Sequence, residues 1–317
     1  MRRILAAATV VILMIGTAAC TQKDDKQTAA APTRVTVGVI PIVDVAPIYL
    51  GKKKGFFASR GIDLVLSPEQ GGAAIVEGVL GGKYQFGFSN VTSLIAAQAG
   101  GAPLKAVAAG VSSNGRPGRD FSAIVVADNS PIRSARELGG KSVAVNTLKN
   151  LGDTTVRQSV RRAGGRAGNL RFQAMPFPDM PGALQRGQVD AAWVVEPTLS
   201  AVLTQGGRVL ASNFVDTAPD LTVALYFTSQ GTITAKSTLV GGFTEAIRES
   251  LRYAASHPDE VRDVVGTYTQ INDTVRIAMI LPTWPEDINR PSIERVAALG
   301  QMDGIFTKPP ALDQLLP

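Results

Sequence analysis

From Arg34 onward the chain alternates short runs of β-branched or apolar residues with longer stretches whose apolar positions recur at helical spacing. That alternation predicts strand–helix units of an α/β fold with a largely parallel sheet. "RVTVGVI" reads as a first strand and "PIYLGKKKGFFASRG" as a helix stopped by Gly61. "IDLVLS", "YQFGFSN" and "LKAVAAGV" follow as strands, with "GGAAIVEGVLGG" and "VTSLIAAQAGG" as helices between them. After "SAIVVA" and "SARELGG" a second series begins. Its strands are "KSVAVN", "LRFQAMP", "DAAWVVE" and "RVLAS"; its helices are "GDTTVRQSVRRAGG", "MPGALQRGQ" and "TLSAVLTQGG". "TVALYFTS" reads as a returning strand, and the rest as mostly helical, with amphipathic spacing in "FTEAIRESLRYAASHPDEVRDVV".

A chain of 317 residues exceeds the usual size of one hydrophobic core, and two series of similar units predict two α/β lobes. The expected division is residues 34–124 with 226–317 in lobe I and 125–225 in lobe II. "SAIVVA" would cross outward and "TVALYFTS" back, so the joint is expected to be a hinge of two crossing strands.

The N-terminus has a different pattern. Met1-Arg2-Arg3 is followed by an apolar run, Ile4 to Gly16, of signal-peptide length and short of the roughly 20 apolar residues that span a bilayer. "GTAAC" then places small residues immediately before Cys20, the single cysteine. One reading is a secretory signal cut after Ala19. The favoured one is a lipoprotein signal over residues 1–19, because "GTAAC" resembles a lipobox, with Thr17 where leucine is usual. The resemblance implies acylation of Cys20, and buried acyl chains would hold the protein on the membrane. Residues 20–33, containing "TQKDDKQTAAAPT", are polar and aperiodic, as a flexible tether would be. The expected location is therefore the extracytoplasmic face of the cell membrane.

Charge adds an exclusion. The formal excess is +6, from 32 basic and 26 acidic residues, and two of the arginines sit in the leader. No basic run is interleaved with aromatics, so a nucleic-acid partner is not expected.

In open α/β sheets ligands collect where strands run out into helices, and four such loops carry candidate chemistry. Asp44, after the first strand, suits either a ligand amine or the N-cap of the following helix. Gln70, Gly71 and Gly72 follow the second strand; the glycines admit close backbone approach at a helix start, where unpaired N–H groups suit an anion. The lysine and hydroxyl of a P-loop are absent. Ser89 and Asn90 close the third strand, as caps, ligand contacts or both. In the second series Asn146, Thr147 and Lys149 precede a helix capped near Asp153. Apart from these four loops, Glu196 ends the apolar run "VDAAWVVEP", where it serves either as a ligand contact or as a helix-start charge before Pro197.

Other chemistry lacks its residues. The single histidine, His257, has no partner at metal-ligand or triad spacing, no G-x-S-x-G elbow occurs, and no metal or cofactor is expected. Asp44 with Glu196 is the one carboxylate pair an enzyme reading would use.

"VTVGVIPIVDVAPIYLGKKKGFFASRGIDLVLSPEQGGAAIVEGVLGGKYQFGFSN", followed by "ALQRGQVDAAWVVEP", resembles the nitrate/sulfonate/taurine group of ABC-transporter substrate-binding proteins, which has relatives that bind thiamine-pyrimidine precursors. The resemblance implies a two-lobed, periplasmic-binding-protein-like (type II) α/β fold with a ligand cleft between the lobes. It also implies no catalysis, and delivery of a small solute, as a monomer, to an ABC permease and ATPase. Position by position, it places the ligand site at Asp44, Gly71-Gly72, Ser89-Asn90, Asn146-Thr147 and Glu196. Val45 stands where pyrimidine binders often have histidine, and Val195 where sulfonate binders often have an aromatic. The leading expectation is a sulfonate- or taurine-like solute; the alternatives are a pyrimidine or other heterocyclic vitamin precursor, and a carboxylate-dependent extracellular enzyme.

Overall fold

The computed structural model describes residues 31–317, of which Pro32–Pro317 form one compact unit. The leader, Cys20 and most of the tether lie outside the described residues. Two five-stranded sheets organise the unit. The first has the order β2 (Ile62–Pro68), β1 (Thr33–Val39), β3 (Phe86–Asn90), β10 (Thr222–Ser229), β4 (Leu104–Ser112). The second has the order β7 (Arg171–Ala174), β6 (Ser142–Val145), β8 (Ala191–Val195), β5 (Ser122–Val126), β9 (Arg208–Ala211). Each sheet is parallel through its first three strands and receives one antiparallel strand in fourth place, β10 in the first and β5 in the second.

Strand burial explains the apolar runs. Val35, Val37 and Val39 of β1 and all of β6 and β8 are buried, as in strands covered by helices on both faces. Helices α1 (Ala46–Lys54), α2 (Gly72–Leu80) and α3 (Val91–Ala99) connect the first sheet. The second carries α4 (Leu151–Arg162), α5 (Met180–Gln185), α6 (Thr198–Thr204) and α7 (Asn213–Thr217). The C-terminal part supplies α8 (Gln230–Ala235), α9 (Ser237–Ser256), α10 (Pro258–Val265), α11 (Asp273–Ala278), α12 (Arg290–Met302) and α13 (Leu312–Leu315). Of these, α9 packs on α1, whereas α11 packs on α6 and α12 on both α3 and α4, so the C-terminal helices buttress both lobes.

Two expectations are corrected. The helix expected to run to Gly61 ends at Lys54, because Gly55 takes a left-handed conformation (φ 82°) that caps it; a short 3-10 turn, Ala58–Arg60, follows. The lobe boundaries at 124/125 and 225/226 cut through β5 and β10, yet each of these strands belongs whole to one sheet. The chain crosses instead through residues 113–121 and returns through 218–221. These segments run side by side: the Ser113 N–H donates to the Leu221 carbonyl at 2.9 Å.

The core around the first sheet leaves no slack at Gly87. A Cβ there would sit 2.5 Å from the Ile75 side chain and 2.6 Å from the Phe227 ring. Gly87→Ala is expected to destabilise the unit by about 1–3 kcal/mol, read as a lower urea midpoint with an unchanged slope.

Candidate functional site

β2 runs out through Glu69 and Gln70 to Gly71, which is extended, and α2 starts at Gly72 without a side-chain cap. The helix start is crowded. A Cβ on Gly72 would lie 2.1 Å from Ser89 Oγ, 3.1 Å from Ser93 Oγ and 3.2 Å from Asn90 Nδ2. On Gly71 it would lie 2.5 Å from Thr147 Oγ1 and 3.4 Å from Asn146 Nδ2, which belong to the other lobe. Only glycines let these polar groups close on the turn.

Three helix starts meet here. Asn90 caps α3 by accepting from the Ser93 N–H at 3.0 Å. Asn150, not Asp153, caps α4, accepting from the Leu151 N–H at 2.8 Å, and its side-chain amide donates across the cleft to Ser93 Oγ at 2.9 Å. Asp153 instead accepts from the N–H of Lys149 at 3.0 Å. The Asn146 amide donates to the Gln70 carbonyl at 3.3 Å. Gln70, Gly71, Gly72, Ser89, Asn90, Asn146 and Thr147 therefore come together, drawn from both lobes. The helix dipoles of α2, α3 and α4 point their positive ends towards this locus.

Asp44 sits on the 3-10 turn Val43–Val45 that leads into α1. It caps neither that turn nor α1. It is buried, and its Oδ1 has no hydrogen-bond partner. Burial pushes its pKa up to about 7, the backbone N–H of Asp44 itself opposes this, and the charge of Asp120 adds to it. The indole N–H of Trp284 donates to the Asp44 backbone carbonyl at 3.2 Å. The Tyr268 hydroxyl donates to the Ile42 carbonyl at 3.0 Å, and its ring stacks on Tyr49 with centroids 3.9 Å apart.

Glu196 is the main correction. It does not face an open cleft but is completely buried, with both carboxylate oxygens engaged. Oε2 accepts from the Ser200 N–H at 3.0 Å; Oε1 accepts from the Ser200 hydroxyl at 2.8 Å and the Ile280 N–H at 2.9 Å. Its backbone is committed too: its N–H donates to Phe121 and its carbonyl accepts from Val43. Local strand counting put it at a strand end, correctly, but its partner 84 residues away left no trace in the pattern. Burial raises its pKa to about 7 against the lowering effect of these three donors.

A groove of about 650 Å³ opens between the lobes. Ile42, Gln70 and Tyr268 line it on one side, Phe177, Pro181 and Thr198 on the other. The strand-end rule that located the other loops also points to "PFPDMP" after β7, which was not singled out. Tyr268 follows a helix and carried no such signal. Among the described residues no cluster of His, Cys, Asp or Glu is placed to hold a metal ion, and no helix is long and apolar enough to cross a membrane.

The family model described as NMT1/THI5 like matches residues 42–261. A protein of Escherichia coli (strain K12) named for aliphatic sulfonate binding is 34% identical over 140 residues, 44% of this chain and 42% of that protein, so the match spans about two fifths of that relative. The alkanesulfonate-binding protein SsuA of Xanthomonas axonopodis pv. citri, solved with MOPS bound, superposes with a TM-score of 0.76 at 19% identity, over 91% of this chain and 99% of that one. The periplasmic nitrate-binding protein NrtA of Synechocystis PCC 6803 superposes with a TM-score of 0.73 at 14% identity, over 89% and 84%. At such identities the structures establish the fold, that of periplasmic binding proteins, as expected from the sequence.

Asp153, its pKa raised by burial to about 6, adds in the same direction to the pH dependence set by Asp44 and Glu196. Both hold their protons more tightly in the folded chain than in the unfolded one, whose carboxyls titrate near 4. Stability is therefore full below about pH 4, falls as pH rises towards 7, and then levels. The unit is expected to be less stable at pH 8 than at pH 5 by roughly 5 kcal/mol from Asp44 and Glu196, about half from each group, measured by urea unfolding, and Glu196→Gln should flatten part of that slope.

Proposed function

This chain belongs to the NMT1/THI5-like family, and we propose that it captures a small sulfonate-like solute outside the cell and delivers it to an ABC importer. The observation that carries the reading is the meeting of three helix starts from two lobes at the Gly71–Gly72 turn. Helix N-termini offer unpaired N–H donors and positive dipole ends, which suit an anionic head without requiring a lysine or arginine. The sulfonate names of two relatives and the nitrate name of a third support the same ligand chemistry.

A solute that touches both lobes stabilises their closed arrangement, because only that arrangement satisfies both sets of contacts. Asn146 with Gln70 and Asn150 with Ser93 are direct ties of this kind between the lobes. The permease and its ATPase would then recognise the closed form. A heterocyclic vitamin precursor is the second reading, favoured by the Tyr49–Tyr268 stack beside the groove, on which a flat ring can pack. The carboxylate-enzyme reading loses its machinery, since the oxygens of Glu196 are engaged by internal donors. The protein is expected to act as a monomer, held to the outer face of the membrane by acylated Cys20.

Calorimetric titration of the unit Pro32–Pro317 with alkanesulfonates, taurine, nitrate and pyrimidines tests the ligand class; at least one sulfonate should bind with a sub-millimolar dissociation constant. Gly72→Ala should weaken that anion at least about tenfold by pushing Ser89 and Asn90 off the turn; unchanged affinity would remove the anion seat. Separately, Cys20→Ala in cells should abolish fatty-acid labelling and shift the protein out of the membrane fraction. A labelled Cys20→Ala protein would dispose of the anchor.

A further inference from the structure

A further cavity, of about 440 Å³, lies where the chain crosses between the lobes. Arg116 and Arg119 line it from the crossing segment, Arg262 from α10, and residues 277–281 from the end of α11 and the loop beyond. No residue lines both this cavity and the interlobe groove. Asn114 builds the turn that carries the first two arginines. Its Oδ1 accepts from the Arg116 N–H at 2.9 Å, and its amide donates to the Arg119 carbonyl at 2.8 Å.

The three guanidinium groups share this space without an acid, since no aspartate or glutamate lines it. Among the described residues, Arg116 and Arg119 make no ion pair and no side-chain hydrogen bond; only their backbone groups are engaged. Arg262 reaches the exposed Asp259 at 3.7 Å and the carbonyls of Pro258 and Met279 at 3.3 and 3.4 Å. The neighbouring acids are committed elsewhere. Asp120, next in sequence to Arg119, accepts from Ser113 Oγ at 2.7 Å and from the N–H groups of Asn114 and Phe121, each at 3.0 Å. Asp263 and Asp273 both hold Arg276. By contrast Arg60, Arg252 and Arg290 each meet an acid within 3 Å.

Like charges on one concave wall repel, and a cleft of this kind concentrates the field they share. A guanidinium offers paired N–H donors whose spacing matches two oxygens of a carboxylate or phosphate. One arginine suits a single carboxylate; three around one cavity suit a group with several charged oxygens. We propose that this cavity binds a small oxyanion carrying two or more negative charges. Bound there, the anion would bridge the crossing segment to residues 277–281, where the Ile280 N–H holds Glu196.

Calorimetric titration of the unit Pro32–Pro317 with pyrophosphate and with citrate tests this, at an ionic strength held constant with sodium chloride so that screening is the same throughout. At least one of the two should bind with a sub-millimolar dissociation constant. Arg116→Gln and Arg119→Gln should each weaken it about tenfold, and hydrogen exchange should slow at residues 113–121 and 277–281 when it binds. Both arginines are exposed, so an unchanged urea midpoint is expected of each variant and of the pair combined. Binding that survives in the Arg116→Gln/Arg119→Gln double variant overturns the site, and its loss in Gly72→Ala would then place the anion at the helix starts instead. Binding of neither probe overturns it too. Solute capture stands or falls separately, since alkanesulfonate titration of the same double variant should match that of the parent.

Discussion

The junction at Glu196 is the constraint on which the two-lobed arrangement depends. One residue, wholly buried, binds four separate segments: Phe121 at the start of the second sheet, Val43 after β1, Ser200 in α6 and Ile280 beyond α11. Removing a carboxylate from water is unfavourable, and three donors make it tolerable. Because those donors come from both lobes, the group holds its place only where the lobes meet. The Ser113–Leu221 bond between the crossing segments and the Arg161–Asp303 ion pair between α4 and the end of α12 fasten the same frame at other points.

With that frame set, the helix starts of the two lobes face one another at short range. The glycines at 71 and 72 are then a matter of clearance: the space a Cβ would need is held by Ser89, Ser93, Asn90 and Thr147. Asp44 and Glu196 show how differently two buried acids can be used. Both have pKa values pushed to about 7 by burial. Glu196 has its oxygens filled from within, and Asp44 keeps one empty.

Much of this was legible in the chain. Strand–helix alternation located both series of units, and the rule that ligands gather beyond strand ends picked out seven residues that do converge, because both signals are local and periodic. What escaped was non-local. The partner of Glu196 at Ile280, and Tyr268 and Trp284 near Asp44, come from the C-terminal third, where the pattern announced only helices and one returning strand. The exchange of β5 and β10 was visible as two crossings, but not that each strand settles entirely in the sheet it enters. Inter-sheet membership is decided by pairing partners more than a hundred residues away, as Phe227 is from Gly87, which no window of apolar residues reports.

That exchange bears on the order in which the molecule can assemble. The strands of the second sheet, β5 to β9, are consecutive in the chain, so that sheet can close as soon as residue 211 is available. The first cannot. Its fourth place belongs to β10, and until residues 222–229 arrive β3 and β4 have no strand between them and present bare edges. The lobe made first is thus finished last, with unpaired edges of the kind that recruit foreign strands. A chain emerging from its N-terminus stays vulnerable there until the whole second lobe has followed.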